Sequence, residues 1–320
     1  MQQLQTAIHA CQANANNLEA ILEIHHLFFA LSNLAKGFPD ASPVGGSQAA
    51  PWMNVFRGVT EQILAALAIR ELIDFKIVRD GARGSFSRMV STTGLTVLPY
   101  IPALLNVMLP RISEGELLDF LSFLGLVTAK YKVSVACEIS QRRAADLAFS
   151  QTDVTPVMDE LMKPLLERTF FFLNQEVSGT DDILLRDSLV RGYLTFLSTL
   201  IGGGMDSVLR SERNQGQLET LLQSFVFYAA HSQPTTTRQA VNILARLVNH
   251  WLEKTTPDSP RKSRSGPANG AALLAGQHSV ALPGFENFVY KTLVGMIFEI
   301  PSKPDFDFSD AQTQIVRGGR

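Results

Sequence analysis

Cysteine is almost missing from this chain. The 320 residues contain two, Cys11 and Cys137, far apart and without CxxC spacing. That excludes a disulfide framework and predicts a reducing, cytosolic or nuclear compartment. A charge excess of either sign is missing too, since 28 basic residues face 30 acidic ones for a net charge of −2. Any contact with nucleic acid therefore has to use a local patch and not a global positive field. No apolar run reaches about 18 residues without polar interruption. The opening stretch, MQQLQTAIHACQANANNLEAI, lacks the basic start and unbroken apolar segment of a signal peptide. The expected protein neither crosses a membrane nor enters the secretory route.

Catalytic signatures are equally scarce. The sequence has no GxSxG elbow, no GxxxxGK[ST] loop, no HExxH and no paired CxxC. His25 and His26 are adjacent, so on a helix they point about 100° apart, poor geometry for one metal ion and consistent with structural histidines. Gly202, Gly203 and Gly204 follow a helical pattern and not a strand, which reads as a helix C-cap and turn, not a phosphate cradle. Phe170, Phe171 and Phe172 sit inside an apolar repeat and read as core. The expectation is a protein that is not an enzyme and needs neither metal nor cofactor.

What the sequence has in abundance is helical periodicity, with 46% apolar residues to supply a core. Apolar residues recur at three- and four-residue steps over 18–36, 53–72, 74–92, 97–112, 114–131, 155–174, 181–201, 216–231, 235–253 and 285–300. Strand signals are absent. Recurrence as antiparallel pairs every 40 to 55 residues or so predicts an all-α HEAT-repeat solenoid, its pairs stacked into a superhelix, each burying a face against its neighbours. A compact helical bundle is the alternative. No domain boundary is apparent across 1–320, and two Pro/Gly/Ser-rich stretches, 37–51 and 255–279, read as loops. The second contains PRKSRS, readable as a short basic nuclear signal or phosphate contact, or as a solvated loop.

A helical wheel over 75–90 puts Phe75, Val78, Ala82, Phe86 and Met89 on one stripe with Lys76, Arg79 and Arg83 along its flank. Such a ridge could hold phosphates through charge-assisted hydrogen bonds, while Asp80 beside it offers ion pairing between repeats as the rival reading. Arg186 and Arg191, and Arg238 and Arg246, are weaker candidates of the same kind.

Four stretches resemble the exportin-T family, particularly its fungal members: VRDGARGSFSRMVSTTGLTVLPYIP (78–102), DFLSFLGLVTAKYK (119–132), GTDDILLRDSLVRGYLTFLSTLIGGGMDSVL (179–209) and PGFENFVYKTLVGMIFEIPSKPDFDFSDAQTQIV (283–316). The PGF…FVY…P…FD…DAQ order of the last is the most specific. The resemblance implies a karyopherin-β export receptor of HEAT repeats that carries tRNA out of the nucleus with Ran in its GTP form, passing nuclear pore proteins and shuttling between nucleus and cytoplasm. It places this chain in the later, C-terminal-half portion, so that Ran-GTP would engage N-terminal repeats not present here. Recognition of tRNA by A-form geometry and backbone would need only scattered basic ridges. The RNA-binding candidates are Lys76, Arg79 and Arg83, with Arg186 and Arg191 behind them. A HEAT-repeat scaffold that binds protein and no RNA is the alternative.

Residues 133–151 (VSVACEISQRRAADLAFSQ) interrupt the helical pattern and read as an insert without a counterpart in the family. Reverse translation allows the donor, branch-point and acceptor signals of a short in-frame intron at Val133-Ser134, Ala145-Asp146 and Ser150-Gln151, so translated intron is one reading. A lineage-specific loop or extra helix is the other reading.

Overall fold

The computed structural model describes residues 2–14, 16–38, 51–93, 96–131, 154–231, 233–252, 282–299 and 302. The segment 133–151 and the PRKSRS stretch lie outside them. Among the described residues there are helices and turns and no strand. The fold is the all-α, HEAT-type arrangement that the periodicity predicts.

In chain order the helices are α1 (Gln2–Ala13), α2 (Leu18–Lys36), α3 (Pro51–Leu67), α4 (Arg70–Ile73), α5 (Lys76–Thr93), α6 (Ile101–Met108), α7 (Glu114–Tyr131), α8 (Thr155–Leu173), α9 (Thr180–Gly202), α10 (Gln215–His231), α11 (Pro234–Leu252), α12 (Phe285–Phe288) and α13 (Val294–Glu299). Short 3-10 turns occupy Leu98–Tyr100 and Asp206–Arg210, and a π-helical turn, Val289–Leu293, joins α12 to α13. The chain folds as two compact units that divide within α9, after Tyr193.

Local chemistry sets the helix ends. Asn17 caps α2 by accepting from the Ala20 amide at 3.2 Å. Ser113 and Glu116 form a capping box on α7: the Ser113 amide donates to the Glu116 carboxylate at 2.9 Å, and the Glu116 amide donates back to Ser113 Oγ at 3.4 Å. The triple glycine ends α9 as expected. Gly204 takes φ 77°, its amide donates to Ile201 O at 3.0 Å, and the Met205 amide donates to Leu200 O at 3.1 Å, which is the paired-bond termination that favours glycine.

In the first unit α2, α5, α7 and the start of α9 lie side by side and parallel. Residue pairs advance together along neighbouring axes: 25 with 77 and 32 with 84 between α2 and α5, 79 with 116 and 91 with 130 between α5 and α7. Side chains of the later helix donate to backbone carbonyls of the earlier one, as in Ser85 Oγ to Phe28 O (2.8 Å), Thr92 Oγ1 to Ala35 O (2.9 Å) and Tyr131 OH to Val90 O (2.9 Å). The other helices form a second layer, with α3 against α6 and α6 against α8. Between the layers lies a core that includes Phe28, Ile63, Phe86, Leu104, Phe120 and Leu165. Each such side chain stabilises by about 1.5–3 kcal/mol on burial. In the second unit α10 and α11 pack as a pair, and α11 runs parallel to the end of α9, with Gln239 meeting Thr195 and Arg246 meeting Ser198.

Two expectations about these elements change. The N-terminal stretch, read only for what it lacked, forms α1, which buries Leu4, Ala7, Ile8 and Cys11. Of the three consecutive phenylalanines, Phe172 is buried and Phe170 packs edge-on to Tyr193, but Phe171 is exposed. Three successive residues span about 200° of a helix, wider than its apolar stripe.

Candidate nucleic-acid interface

The five candidate cations divide by environment. On α5, Val78, Ala82, Phe86 and Met89 are buried, as the wheel requires. Arg79, placed by the wheel on the flank, is buried with them. Its Nε and Nη2 donate to the two carboxylate oxygens of Glu116 at 2.7 and 2.9 Å, and its Nη1 donates to the carbonyls of Ile73 and Asp74 at 2.8 and 3.0 Å. Four bonds exhaust most of its donors. The guanidinium closes the C-terminal end of α4 and grips the first turn of α7, so it does not belong to a solvent-facing ridge.

Lys76 is 62% exposed, and its Nζ donates to Asp80 at 2.6 Å. Arg83 shares Asp80 at 3.3 Å and reaches Asp119 of α7 at 2.8 Å. The ridge thus alternates in sign, Lys76, Asp80, Arg83, Asp119, which cancels much of its field at a distance.

Arg186 repeats the Arg79 arrangement on the other side of α7. Its Nε and Nη2 donate to Glu114 at 2.8 and 3.4 Å, and its Nη1 to the carbonyls of Leu173 and Gln175 at 2.9 and 3.0 Å. The first turn of α7 therefore carries two glutamates, each held by an arginine from a neighbouring helix that also ties down helix-terminal carbonyls. Arg191 differs. It is exposed, and its one bond among the described residues goes to the neutral Ser188 hydroxyl at 3.1 Å.

Protonation follows this packing. Burial pushes the Glu116 carboxyl up, but the hydrogen bonds from Arg79 and Ser113 and the Arg79 charge outweigh it and hold the group below the ordinary value of 4.5. Burial lowers the Arg168 guanidinium, which lies over the rings of Phe171 and Phe172 at 4.9 and 4.4 Å and donates to Ile112 O at 2.8 Å. His25 is structural, its Nδ1 3.0 Å from Ile77 O. Among the described residues no three His, Cys, Asp or Glu side chains converge as a metal site, and no helix is long and apolar enough to cross a membrane.

Sequence reasoning missed the glutamates. Their signal was the S-x-x-E spacing of Ser113 and Glu116, the mark of a capping box, which fixes where a helix begins. Pairing with an arginine 37 residues earlier had no local signature.

Comparison with known proteins bears on these repeats as a whole. The family model of Exportin-T matches residues 1–141 and 146–318. The chain belongs to the exportin-T family. Exportin-T of Mycosarcoma maydis is 42% identical over 315 residues, covering 98% of this chain and 25% of that protein. Exportin-T of Laccaria bicolor is 31% identical over 318 residues, 99% of this chain and 26% of that protein, and that of Phaeosphaeria nodorum is 33% identical over 311 residues, 95% and 27%. The chain spans about a quarter of the length of these relatives. The family match also takes in 133–141 and 146–151, so most of the segment that reads as an insert aligns within exportin-T, and the break falls at 142–145.

Proposed function

We propose that this chain forms part of a nuclear export receptor, contributing HEAT repeats to a surface that holds tRNA by its shape and backbone. The whole receptor takes tRNA from nucleus to cytoplasm with Ran-GTP, which engages other repeats, and passes the pore by contact with nuclear pore proteins. The observation that carries this reading is the exportin-T match over nearly the entire chain. Parallel helices tied edge to edge offer a regular surface, and a repeating array suits a cargo set that shares shape and not sequence. Of the candidates from the sequence, Arg191 is exposed with a neutral partner, while Lys76 and the partly exposed Arg83 reach the surface paired with Asp80 and, for Arg83, Asp119. Arg79 and Arg186 act in this reading by holding α7 in place.

A second reading, a protein-binding scaffold without RNA contact, draws on one observation. Lys76, Arg79, Arg83 and Arg186 all carry carboxylate partners, as cations with a structural role do. Filter binding of folded tRNA to the full-length protein across a salt series separates the two. Contact with phosphates gives a log–log slope of about −0.7 to −0.9 per contact. No measurable tRNA binding by the wild-type protein removes the RNA reading.

A further inference from the structure

The second unit carries a surface of a different electrostatic kind from the ridge on α5. Helix α11 contains no aspartate or glutamate. Its buried stripe is Thr236, Ala240, Ile243, Leu244, Leu247 and Trp251. The opposite side exposes Arg238, Asn242, Arg246 and Asn249, each separated from the next by one helical turn. Beside it runs the end of α9, which from Leu194 to Gly202 also lacks any acidic residue.

Among the described residues the contacts between α11 and Leu194–Gly202 use no carboxylate, and the Asp206 carboxylate just beyond α9 meets α11 at its last turn, accepting from Trp251 Nε1 at 2.7 Å and lying 3.3 Å from His250 Nδ1. Gln239 Nε2 donates to Thr195 Oγ1 at 3.1 Å, and Arg246 Nη1 donates to Ser198 O at 3.2 Å. Gly202 leaves room for the Arg246 guanidinium, since a Cβ there would lie 2.7 Å from Nη1. Arg246 is thus positioned by a carbonyl, a neutral acceptor, and keeps its net charge and most of its five donors. Neither Arg238 nor Arg246 has a carboxylate partner among the described residues. The contrast with Lys76, Arg79, Arg83 and Arg186 is direct: those cations are neutralised within the fold, and these two are not.

We propose that the acid-free seam of α9 and α11 binds the phosphodiester backbone of RNA, with Arg238 and Arg246 as the phosphate contacts and Asn242 as a neutral donor between them. The two arginines are eight residues apart, about 12 Å along the helix, so they address separate phosphates and not one anion. Uncompensated guanidiniums on a rigid helix suit this ligand, because a fork of donors matches phosphate oxygens and little ordering is required on binding. The proposal rests on the tRNA-carrier reading for its ligand and assigns the contact to residues of α11 and not to the candidates on α5.

The test uses the full-length protein and folded tRNA. Arg238→Ala/Arg246→Ala is expected to bind about tenfold more weakly at moderate salt, with the salt slope shallower by about 1.4 to 1.8, two contacts' worth. Arg238→Lys/Arg246→Lys, which keeps both charges, is expected to retain most of the slope. Unchanged far-UV circular dichroism of both variants establishes that α11 is intact. If wild type binds tRNA and the alanine variant matches it in affinity and slope, the seam is not the contact and the proposal is overturned while the carrier reading stands. Absence of binding by wild type overturns both. Loss of an acidic protein partner by the alanine variant, with tRNA binding unchanged, assigns the seam to protein recognition and also overturns the proposal.

Discussion

Arg79 and Glu116 meet fork to fork, two parallel bonds of 2.7 and 2.9 Å between residues 37 positions apart, with both side chains buried. The same glutamate accepts from the amide and hydroxyl of Ser113, each at 2.9 Å, so one carboxylate both caps α7 and ties it to α5. Glutamine keeps the capping box but removes the charge opposite Arg79. Glu116→Gln is therefore expected to destabilise the fold by about 2–4 kcal/mol, the cost of leaving a buried cation without its partner. A denaturant series on wild type and variant measures it, and a loss under about 0.5 kcal/mol would show that the pair contributes only its cap.

The same pair predicts a pH dependence. Since the folded-state pKa of Glu116 is depressed below 4.5, its contribution is fully present above about that pH and is lost as the pH falls and the carboxylate takes up a proton. Denaturant midpoints measured between pH 3 and 6 are expected to drop for wild type on the acid side and to drop less for Glu116→Gln. Parallel acid limbs would contradict the assignment.

Much of the helical layout was legible because each buried stripe recurs with a period near 3.6. The predicted span 114–131 and the observed α7 coincide, and 155–174 and α8 differ by one residue. Two boundaries moved where local signals compete with the pattern. The span 53–72 breaks into α3 and α4 around Ala68 and Ile69, and 97–112 opens as a 3-10 turn at Leu98–Pro99–Tyr100 before α6. The candidate cations were harder. A wheel assigns a residue to a face of its own helix but is blind to what the neighbouring helix supplies. Arg79 follows the buried Val78 and is enclosed because Glu116 comes from α7, a long-range pairing that periodicity on α5 does not contain. The acid-free character of α11 was written in the sequence, and what the structure adds is that Leu194–Gly202 of α9 lies beside it, with the Asp206 carboxylate engaged at its last turn by Trp251 and His250.

Glycines offer a pair of opposite expectations. Gly204 has φ 77° and closes α9, so Gly204→Ala forces a side chain into the left-handed region and is expected to cost about 1 kcal/mol. Gly125 lies within α7, and a Cβ there meets nothing within 4 Å. Gly125→Ala is expected to stabilise by about 0.5–1 kcal/mol through helix propensity. Thermal or denaturant unfolding of the two variants gives the signs, and a stabilising Gly204→Ala would refute the terminating role.

Phe171 and Phe172 are adjacent and of one type, yet they face different surroundings. Phe172 is 8% exposed and Phe171 51%, with the Arg168 guanidinium over both rings. Phe172→Ala removes a packed ring and leaves a cavity, so a loss of about 3–4 kcal/mol is expected. Phe171→Ala removes a ring already half in water and weakens a stacking contact of about 0.5–1 kcal/mol, which sets the size of its expected loss. Arg168 also donates to Ile112 O at 2.8 Å and so stays in place in either variant. Denaturant midpoints of the two single variants decide the point. Equal losses of about 3 kcal/mol would mean that another part of the protein covers Phe171, whereas losses in a ratio of three or more to one confirm that its ring faces solvent.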